Sequence, residues 1–270
     1  MNILGVDFTS RPTRRKPITC AWGRVLDGEF VLDELIACPD MAAFAEVLNR
    51  PAWLGGFDMP FGLPRELVEH LAWPTDWLGC MQHYSALSRE QVRATFKAFC
   101  DARPVGNKFA HRATDRPAAS SPSMKWVNPP VAYMLHAGVP ALLASGCSVA
   151  GLHAADPNRV ALEAYPALAA RAVIGKASYK SDDKAKQTPA RADARAALIT
   201  GVSERPHPAL GLKLQATAAQ LAQLQNDASG DTLDAVLCAL QAAWASQQAG
   251  YGLPPAMDRL EGWITSVPFK

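Results

Sequence analysis

The stretch Asn2-Ile3-Leu4-Gly5-Val6-Asp7-Phe8 lies near the start of the sequence and consists mainly of apolar residues. These residues are consecutive rather than alternating with polar ones, which is typical of a strand buried on both faces of a sheet. A second run of this kind extends from Ala52 to Phe57 and is followed directly by Asp58. We therefore predict two buried strands, each ending close to an aspartate.

The segment between these two strands is predicted to contain a β-hairpin and a helix. Residues 18–25 and 30–37 flank the sequence Leu26-Asp27-Gly28, and an Asp-Gly step strongly indicates a hairpin turn. Asp40 is predicted to cap a helix that continues to Leu48. The first 60 residues thus predict the order β-β-β-α-β.

The rest of the chain is predicted to be mostly helical, with one further strand at 160–166. Residues 65–100 look helical, whereas residues 101–130 are rich in proline, serine and positive charge, which indicates a long basic loop or a partly ordered insertion. Four more helices are predicted at about 131–144, 189–201, 212–225 and 231–248. We expect one α/β domain over residues 1–270, with a mixed five-stranded sheet flanked by helices. An insertion at about 65–155 is expected between its fourth and fifth strands.

The composition excludes several classes of protein. Hydrophobic residues make up 49% of the chain and charged residues 19%, so a sizeable core is possible and wholesale disorder is excluded. A formal charge of only +2 excludes a polybasic, histone-like binder but permits a local basic groove. The cysteines form no C-x-x-C pair and are expected to be buried thiols in a reducing compartment. Without a signal-peptide pattern or an apolar run of about 20 residues, we expect a cytoplasmic protein with no membrane span.

Five acidic residues stand out because of their places in the predicted elements: Asp7, Asp58, Glu163, Asp231 and Asp234. The first two end strands, Glu163 lies in the last strand, and the other two open the last helix. Ionised carboxylates are seldom buried unless they are paired or bind a metal. If several of them converge at strand ends they require a cation, and oxygen ligands suit Mg²⁺ or Mn²⁺.

Each of these acids also has a structural interpretation. Asp7 and Asp58 could stabilise turns, Glu163 could face solvent or a basic neighbour, and Asp231 could be a helix N-cap. Asp234 lies one turn into the helix, where a capping role is not available, so we expect it to face the cluster more directly than Asp231. A face of small residues on this helix predicts close packing against a sheet or a second element: Ala235, Cys238, Ala242 and Ala245.

Four motifs carry a resemblance to a known family: Gly5–Ser10 (GVDFTS), Gly56–Gly62 (GFDMPFG), Glu163–Pro166 (EAYP) and Asp231–Ala235 (DTLDA). Together they resemble the domain-of-unknown-function family 429 (DUF429), whose members are described as predicted RNase-H-like nucleases. The resemblance spans nearly the whole chain. It implies an RNase-H-like fold with metal-binding acids at the ends of the first and fourth strands and in the last helix, which are Asp7, Asp58, Asp231 and Asp234. The D-x-x-D sequence is most like the Holliday-junction resolvase branch, which has glutamate where this chain has Asp58.

What the resemblance implies is two-metal hydrolysis of phosphodiester bonds in DNA or RNA, with Mg²⁺ or Mn²⁺ as cofactor. Glu163 belongs to the family's own E-x-Y-P motif and is counted among the catalytic acids. We expect the carboxylates of Asp7 and Asp58 to lie within about 8 Å of each other, the span of a two-ion site.

Basic segments would provide the contacts to phosphate. We expect residues 103–125 to close over the acidic site, with Arg112 and Lys125 as phosphate contacts. The lysine-rich stretch 176–191 could serve the same purpose or could be a solvated face. Trp126 could stack on a base or anchor the loop.

Two other functions are open on the sequence alone. A catalytically inactive protein with an RNase-H fold could bind nucleic acid or a protein partner. A phosphotransferase of the actin-like branch shares the fold and the first-strand aspartate. That branch needs glycine-rich phosphate loops, and this chain offers only Gly55-Gly56.

Overall fold

The computed structural model describes residues 1–269, which form a mixed sheet flanked by helices. The strands of these residues are β1 (Asn2–Asp7), β2 (Ile18–Leu26), β3 (Glu29–Cys38), β4 (Trp53–Asp58), β5 (Cys147–Val149), β6 (Asp156–Glu163) and β7 (Lys213–Gln215). Their order across the sheet is β5-β6-β4-β1-β2-β3-β7, and β2 alone runs against the others. The α/β prediction is therefore confirmed, and the sheet has seven strands where five were predicted.

The α-helices cover the sheet and fill the connections between strands. They are α1 (Met41–Leu48), α2 (Arg65–His70), α3 (Trp77–Ala86), α4 (Arg89–Asp101), α5 (Asp115–Ala118), α6 (Val131–Ser145), α7 (Pro166–Ile174), α8 (Pro189–Ser203), α9 (Ala218–Asn226) and α10 (Asp231–Ala245). Short 3₁₀ helices lie at Lys184–Lys186 and Ala249–Gly252. Helices α2 to α6 and strand β5 all lie between β4 and β6 along the chain.

The predicted elements are found with a few local differences. Asp40 caps α1 as predicted, because its carboxylate accepts a hydrogen bond from the Ala43 backbone N–H at 2.9 Å. The stretch predicted as one helical region at 65–100 is divided into α2, α3 and α4. The added strands β5 and β7 are three residues each and lie at the two edges of the sheet. A strand this short has too few residues to show a periodic pattern. The residues of β7 were wrongly predicted as the start of the helix at 212–225, which begins at Ala218.

Two apolar cores pack on the sheet. One joins Val6 and Phe57 to side chains from α1, α3, α4 and α6, and the other joins Ile3 and Leu54 to α8 and α10. Fully burying one large apolar side chain contributes roughly 1.5–3 kcal/mol, so these cores supply most of the favourable free energy of folding. The two cores thereby fix the positions of β1, β4 and α10.

Helix α10 lies unusually close to the centre of the sheet because two glycines face it. A Cβ atom on Gly5 of β1 would lie 2.0 Å from the carbonyl oxygen of Ala235, and one on Gly56 of β4 would lie 2.4 Å from that of Cys238. Only glycine permits this approach. The predicted small-residue face of α10 is confirmed, and its close packing brings the first turn of the helix to the ends of β1 and β4.

The structure also tests the predictions for the cysteines and for membrane-spanning helices. All six cysteines are buried free thiols, as predicted. Within residues 1–269, the helices are all too short or too polar to cross a bilayer.

Candidate metal centre

The carboxylates of Asp7, Asp58 and Asp234 form a cluster at the carboxyl ends of the central strands β1 and β4, here called the aspartate cluster. Asp7 and Asp58 are the last residues of the adjacent parallel strands β1 and β4, and they stand opposite each other in the register. One carboxylate oxygen from each of the three aspartates lies within 4.8 Å of the other two. The prediction that Asp7 and Asp58 approach within about 8 Å is confirmed.

The two acids of α10 have different surroundings. Asp234 is fully buried and belongs to the aspartate cluster. Asp231 lies at the start of the helix and instead forms an ion pair with Lys16 at 2.7 Å, and Lys16 also binds Asp182. The expectation that Asp234 faces the cluster more directly is confirmed. The expected metal ligand Asp231 lies outside the cluster, and Lys16 neutralises its carboxylate.

Asp234 has two partners that the sequence analysis did not assign to it. One carboxylate oxygen accepts a hydrogen bond from the Tyr179 hydroxyl, and the other accepts one from the Lys180 ammonium. Lys180 was predicted only as part of a basic stretch, and Tyr179 was not predicted. The two residues are more than 50 positions from Asp234. No local pattern could therefore have indicated the pairing.

The cluster holds more negative charge than its lysine can balance. Burial and repulsion by Asp234 and Asp231 raise the pKa of Asp7 well above its usual value. Burial and repulsion by Asp234 raise the pKa of Asp58 to about 7. Burial alone would lower the pKa of Lys180, but the attraction of the three aspartates raises it, so its ammonium stays charged. Three carboxylates with one ammonium therefore favour the binding of either protons or a further cation.

The donor set fits a small divalent cation. Carboxylate oxygens are the preferred ligands of Mg²⁺, which binds them at 2.0–2.1 Å, so two ligands on opposite sides of the ion are about 4.2 Å apart. The oxygens of the aspartate cluster all lie within 4.8 Å of one another, a spacing close to this span. As whole residues, Asp7 and Asp58 are partly exposed, whereas Asp234 is buried. For Asp234 to bind such an ion, Lys180 has to release one of its oxygens.

Glu163 lies near the aspartate cluster but is not a member of it. It ends β6, the neighbour of β4, and its charge contributes to the raised pKa of Asp58. Its carboxylate accepts hydrogen bonds from the Arg112 guanidinium at 2.6 and 2.7 Å and from the Phe61 backbone N–H at 2.9 Å. The sequence left open whether Glu163 faces solvent or a basic neighbour, and the structure shows that it faces the basic residue Arg112.

Arg112 occupies a different place from the one expected. Its side chain is buried, and its five N–H donors are all used by Glu163, Asp115 and the carbonyl of Glu261. This position does not fit a phosphate contact, because no donor is free and the acidic partners already neutralise the charge. Lys125 is half-buried, and its backbone carbonyl accepts a hydrogen bond from Ala132 at the start of α6.

A cavity adjoins Asp58, with about 420 Å³ of empty space when its opening to solvent is included. Its walls come from the residues after β4 and β6, the loop before α6, α6 itself and the C-terminal segment. The lining residues include Asp58, Met59, Pro60, Ser120, Ser121, Pro129, Val131, Met134, Tyr165 and Ile264. Part of the loop expected to close over the acidic site thus contacts the same space as Asp58, through Arg112, Ser120 and Ser121.

Comparison with known proteins gives one match. A family model described as "Protein of unknown function (DUF429)" matches residues 5–259, a span that contains the whole aspartate cluster. No curated protein and no solved structure gives a significant match to the chain.

Proposed function

The chain belongs to the DUF429 family, and on that premise we propose that it is a metal-dependent nuclease with an RNase-H-like fold. The reaction is hydrolysis of a phosphodiester bond in nucleic acid, with Mg²⁺ or Mn²⁺ as cofactor. One observation carries the proposal: carboxylates from the ends of two adjacent parallel strands and from a helix converge within 4.8 Å. Buried carboxylates that are not matched by cations are costly, which favours a bound ion.

The arrangement of the strands supports the RNase-H-like assignment. The five predicted strands are consecutive in the sheet, in the order β6-β4-β1-β2-β3, and β2 is antiparallel to its neighbours. The acids of the cluster are at the end of the first strand, at the end of the fourth and in the last α-helix. These are the positions that the superfamily resemblance implies for metal ligands.

The residues of the cluster have separable tasks in this proposal. A divalent ion would supply Lewis acidity, which polarises the phosphate and lowers the pKa of water. Asp7, Asp58 and Asp234 hold the ion, and the Tyr179 hydroxyl fixes the orientation of the Asp234 carboxylate. Lys180, once released by Asp234, carries a positive charge beside the cluster that can stabilise an anionic phosphate. A two-ion site needs a fourth donor, and Asp231 can supply one only by leaving Lys16.

The test compares metal binding and cleavage in matched variants. The parent, Asp7→Asn and Asp58→Asn are stripped of metal and titrated with Mn²⁺ by calorimetry. The same proteins are then assayed on single-stranded and double-stranded DNA and RNA. We expect the parent to bind Mn²⁺ and to cleave at least one substrate, and each variant to lose both properties.

Asp27→Asn is the matched control, because Asp27 is exposed in the β2–β3 turn at φ 50°, a conformation that asparagine also adopts. It should behave like the parent. Metal binding by the parent with no cleavage of any substrate would contradict the nuclease proposal and favour an inactive binding protein. Cleavage that persists in Asp7→Asn and Asp58→Asn would contradict the assigned site.

A further inference from the structure

The cavity beside Asp58 is placed where open α/β sheets usually bind ligands. Its floor consists of residues that directly follow the carboxyl ends of β4 and β6, and such ends form the crevice in which ligands bind. A group bound there is in contact with the surroundings of Asp58, and so lies next to the aspartate cluster.

The chemistry of the walls suits a flat ring with a polar edge. Met59, Val131, Met134 and Ile264 provide apolar surface. Tyr165 adds an aromatic ring, and the guanidinium of Arg171 lies 5.3 Å from the centroid of that ring. The hydroxyl group of Ser121 can donate or accept hydrogen bonds at the edge of a ring. The hydroxyl oxygen of Ser120, whose hydrogen is donated to Asp115, can accept one.

The charges of the cavity disfavour a phosphate inside it. Arg112 and Glu163 both contribute to the lining, but they neutralise each other in a buried ion pair at 2.6 Å. Every N–H donor of Arg112 is used, so none is free to bind a phosphate oxygen. The carboxylate of Asp58 repels an anion. The cavity therefore favours a neutral group, while the anionic group of the same ligand has its place at a metal on the aspartate cluster.

We propose that this cavity binds the base of one unpaired nucleotide, whose phosphate lies at the aspartate cluster. The inference rests on the proposed function and names its substrate class. A paired base inside a duplex cannot reach an enclosed pocket unless it is flipped out of the stack. The substrate is accordingly a single strand, or a strand with an extruded nucleotide, and an intact duplex is disfavoured.

The test measures binding by two variants with the same substitution. Val131 lines the cavity, whereas Val127 lies four residues earlier, is 50% exposed and is not part of the lining. The parent, Val131→Trp and Val127→Trp are titrated in Ca²⁺, which holds back cleavage. The probes are a fluorescent single-stranded DNA and RNA, a blunt DNA hairpin duplex and free nucleoside monophosphates.

We expect the parent to bind single strands at least tenfold more tightly than the duplex. Val131→Trp should lower that affinity about tenfold, because stacking of a base in the cavity is lost, and Val127→Trp should leave it unchanged. Binding of free nucleoside monophosphates as tight as that of the strands would overturn the assignment of a strand as the substrate. Tyr165→Leu is a second variant that removes the ring without filling the space, and it should also weaken binding.

Equal binding of single strand and duplex would overturn the inference, as would unchanged single-strand affinity in both Val131→Trp and Tyr165→Leu. No binding of any probe would also overturn it. Mn²⁺ titration of the parent, Val131→Trp and Val127→Trp distinguishes a failure of the base-binding inference from a failure of the metal site. Val131→Trp should bind Mn²⁺ like the parent, because residue 131 does not contribute to the aspartate cluster.

Discussion

Asp7 and Asp58 stand directly opposite each other on the adjacent parallel strands β1 and β4, and their carboxylates approach within 4.8 Å. Two carboxylates this close repel each other unless a proton or a cation lies between them. Lys180 meets part of that need through Asp234, and a divalent ion would meet the rest.

The first prediction concerns Gly56, which allows α10 to approach the sheet. In Gly56→Ala the new Cβ would lie 2.4 Å from the Cys238 carbonyl oxygen, so the helix has to move. Overpacking of this kind costs about 1–3 kcal/mol. At roughly 2–4 °C per kcal/mol, the thermal midpoint should fall by several degrees. Mn²⁺ affinity should fall as well, because Asp234 moves with the helix.

Gly28→Asn is the control for this substitution, because Gly28 lies at φ 80° in an open turn, where asparagine is tolerated. Its thermal midpoint and Mn²⁺ affinity should match those of the parent. Calorimetry and thermal unfolding with the same metal series measure both properties. If Gly56→Ala proves as stable as the parent and binds metal equally well, the close packing does not position the site.

The second prediction is a pH dependence of the metal-free protein. The pKa of Asp58 rises from 3.8 to about 7 on folding, so folding favours its protonated form. The associated stability is fully present below pH 3.8 and is lost as the pH rises through about 7. The shift corresponds to a stabilisation on the order of 4 kcal/mol, shared with the other aspartates. In EDTA, the thermal midpoint should therefore decrease as the pH is raised from 5 to 8.

Added Mn²⁺ should reverse this trend, because a metal binds the ionised carboxylates that are present at high pH. Thermal unfolding across the pH range, with and without Mn²⁺, measures the effect. Asp58→Asn should show a flatter profile in EDTA and little response to the ion. The account of the cluster would be contradicted by an Asp58→Asn profile that follows the parent at every pH.

The third prediction separates the two functions of Lys180. The ammonium binds Asp234 in the metal-free structure and thus competes with a metal for the same carboxylate. Lys180→Met should raise Mn²⁺ affinity severalfold and lower the thermal midpoint of the metal-free protein at pH 8. Lys176→Met is the matched control at an exposed lysine in the same stretch, and it should change neither quantity. Unchanged Mn²⁺ affinity in Lys180→Met would show that the ion does not need the oxygens of Asp234.

The fourth prediction concerns Arg112, whose importance is structural. Removing one partner of a buried ion pair costs about 3–5 kcal/mol because the other charges are left unpaired. Arg112→Met should therefore destabilise the protein strongly in urea denaturation. Arg112→Met/Glu163→Gln should recover part of the loss, because the double variant no longer leaves the Glu163 charge unpaired. Lys125→Met, at a half-buried position in the same loop, should change stability by less than about 1 kcal/mol. Equal stability of Arg112→Met and Lys125→Met would contradict this assignment.

The sequence allowed the central strands and the cluster to be predicted because both depend on local patterns. The apolar runs that end in Asp7 and Asp58 each show a buried strand and its end, and Asp234 lies in a helix with a clear small-residue face. A contact between residues that are far apart in the chain produces no local pattern in the sequence. Arg112 looks like any other basic residue of its loop, and its partners Glu163 and Glu261 lie 51 and 149 positions away. Tyr179 and Lys180 were missed as partners of Asp234 for the same reason.

The most direct test of the central claim is a crystal structure of the protein soaked in Mn²⁺, with anomalous scattering recorded at a wavelength sensitive to manganese. The account predicts an anomalous peak bonded to carboxylate oxygens of Asp7, Asp58 and Asp234, with the Lys180 ammonium displaced from Asp234. A map without a peak at the aspartate cluster at saturating Mn²⁺, and with Lys180 still bound to Asp234, would contradict it.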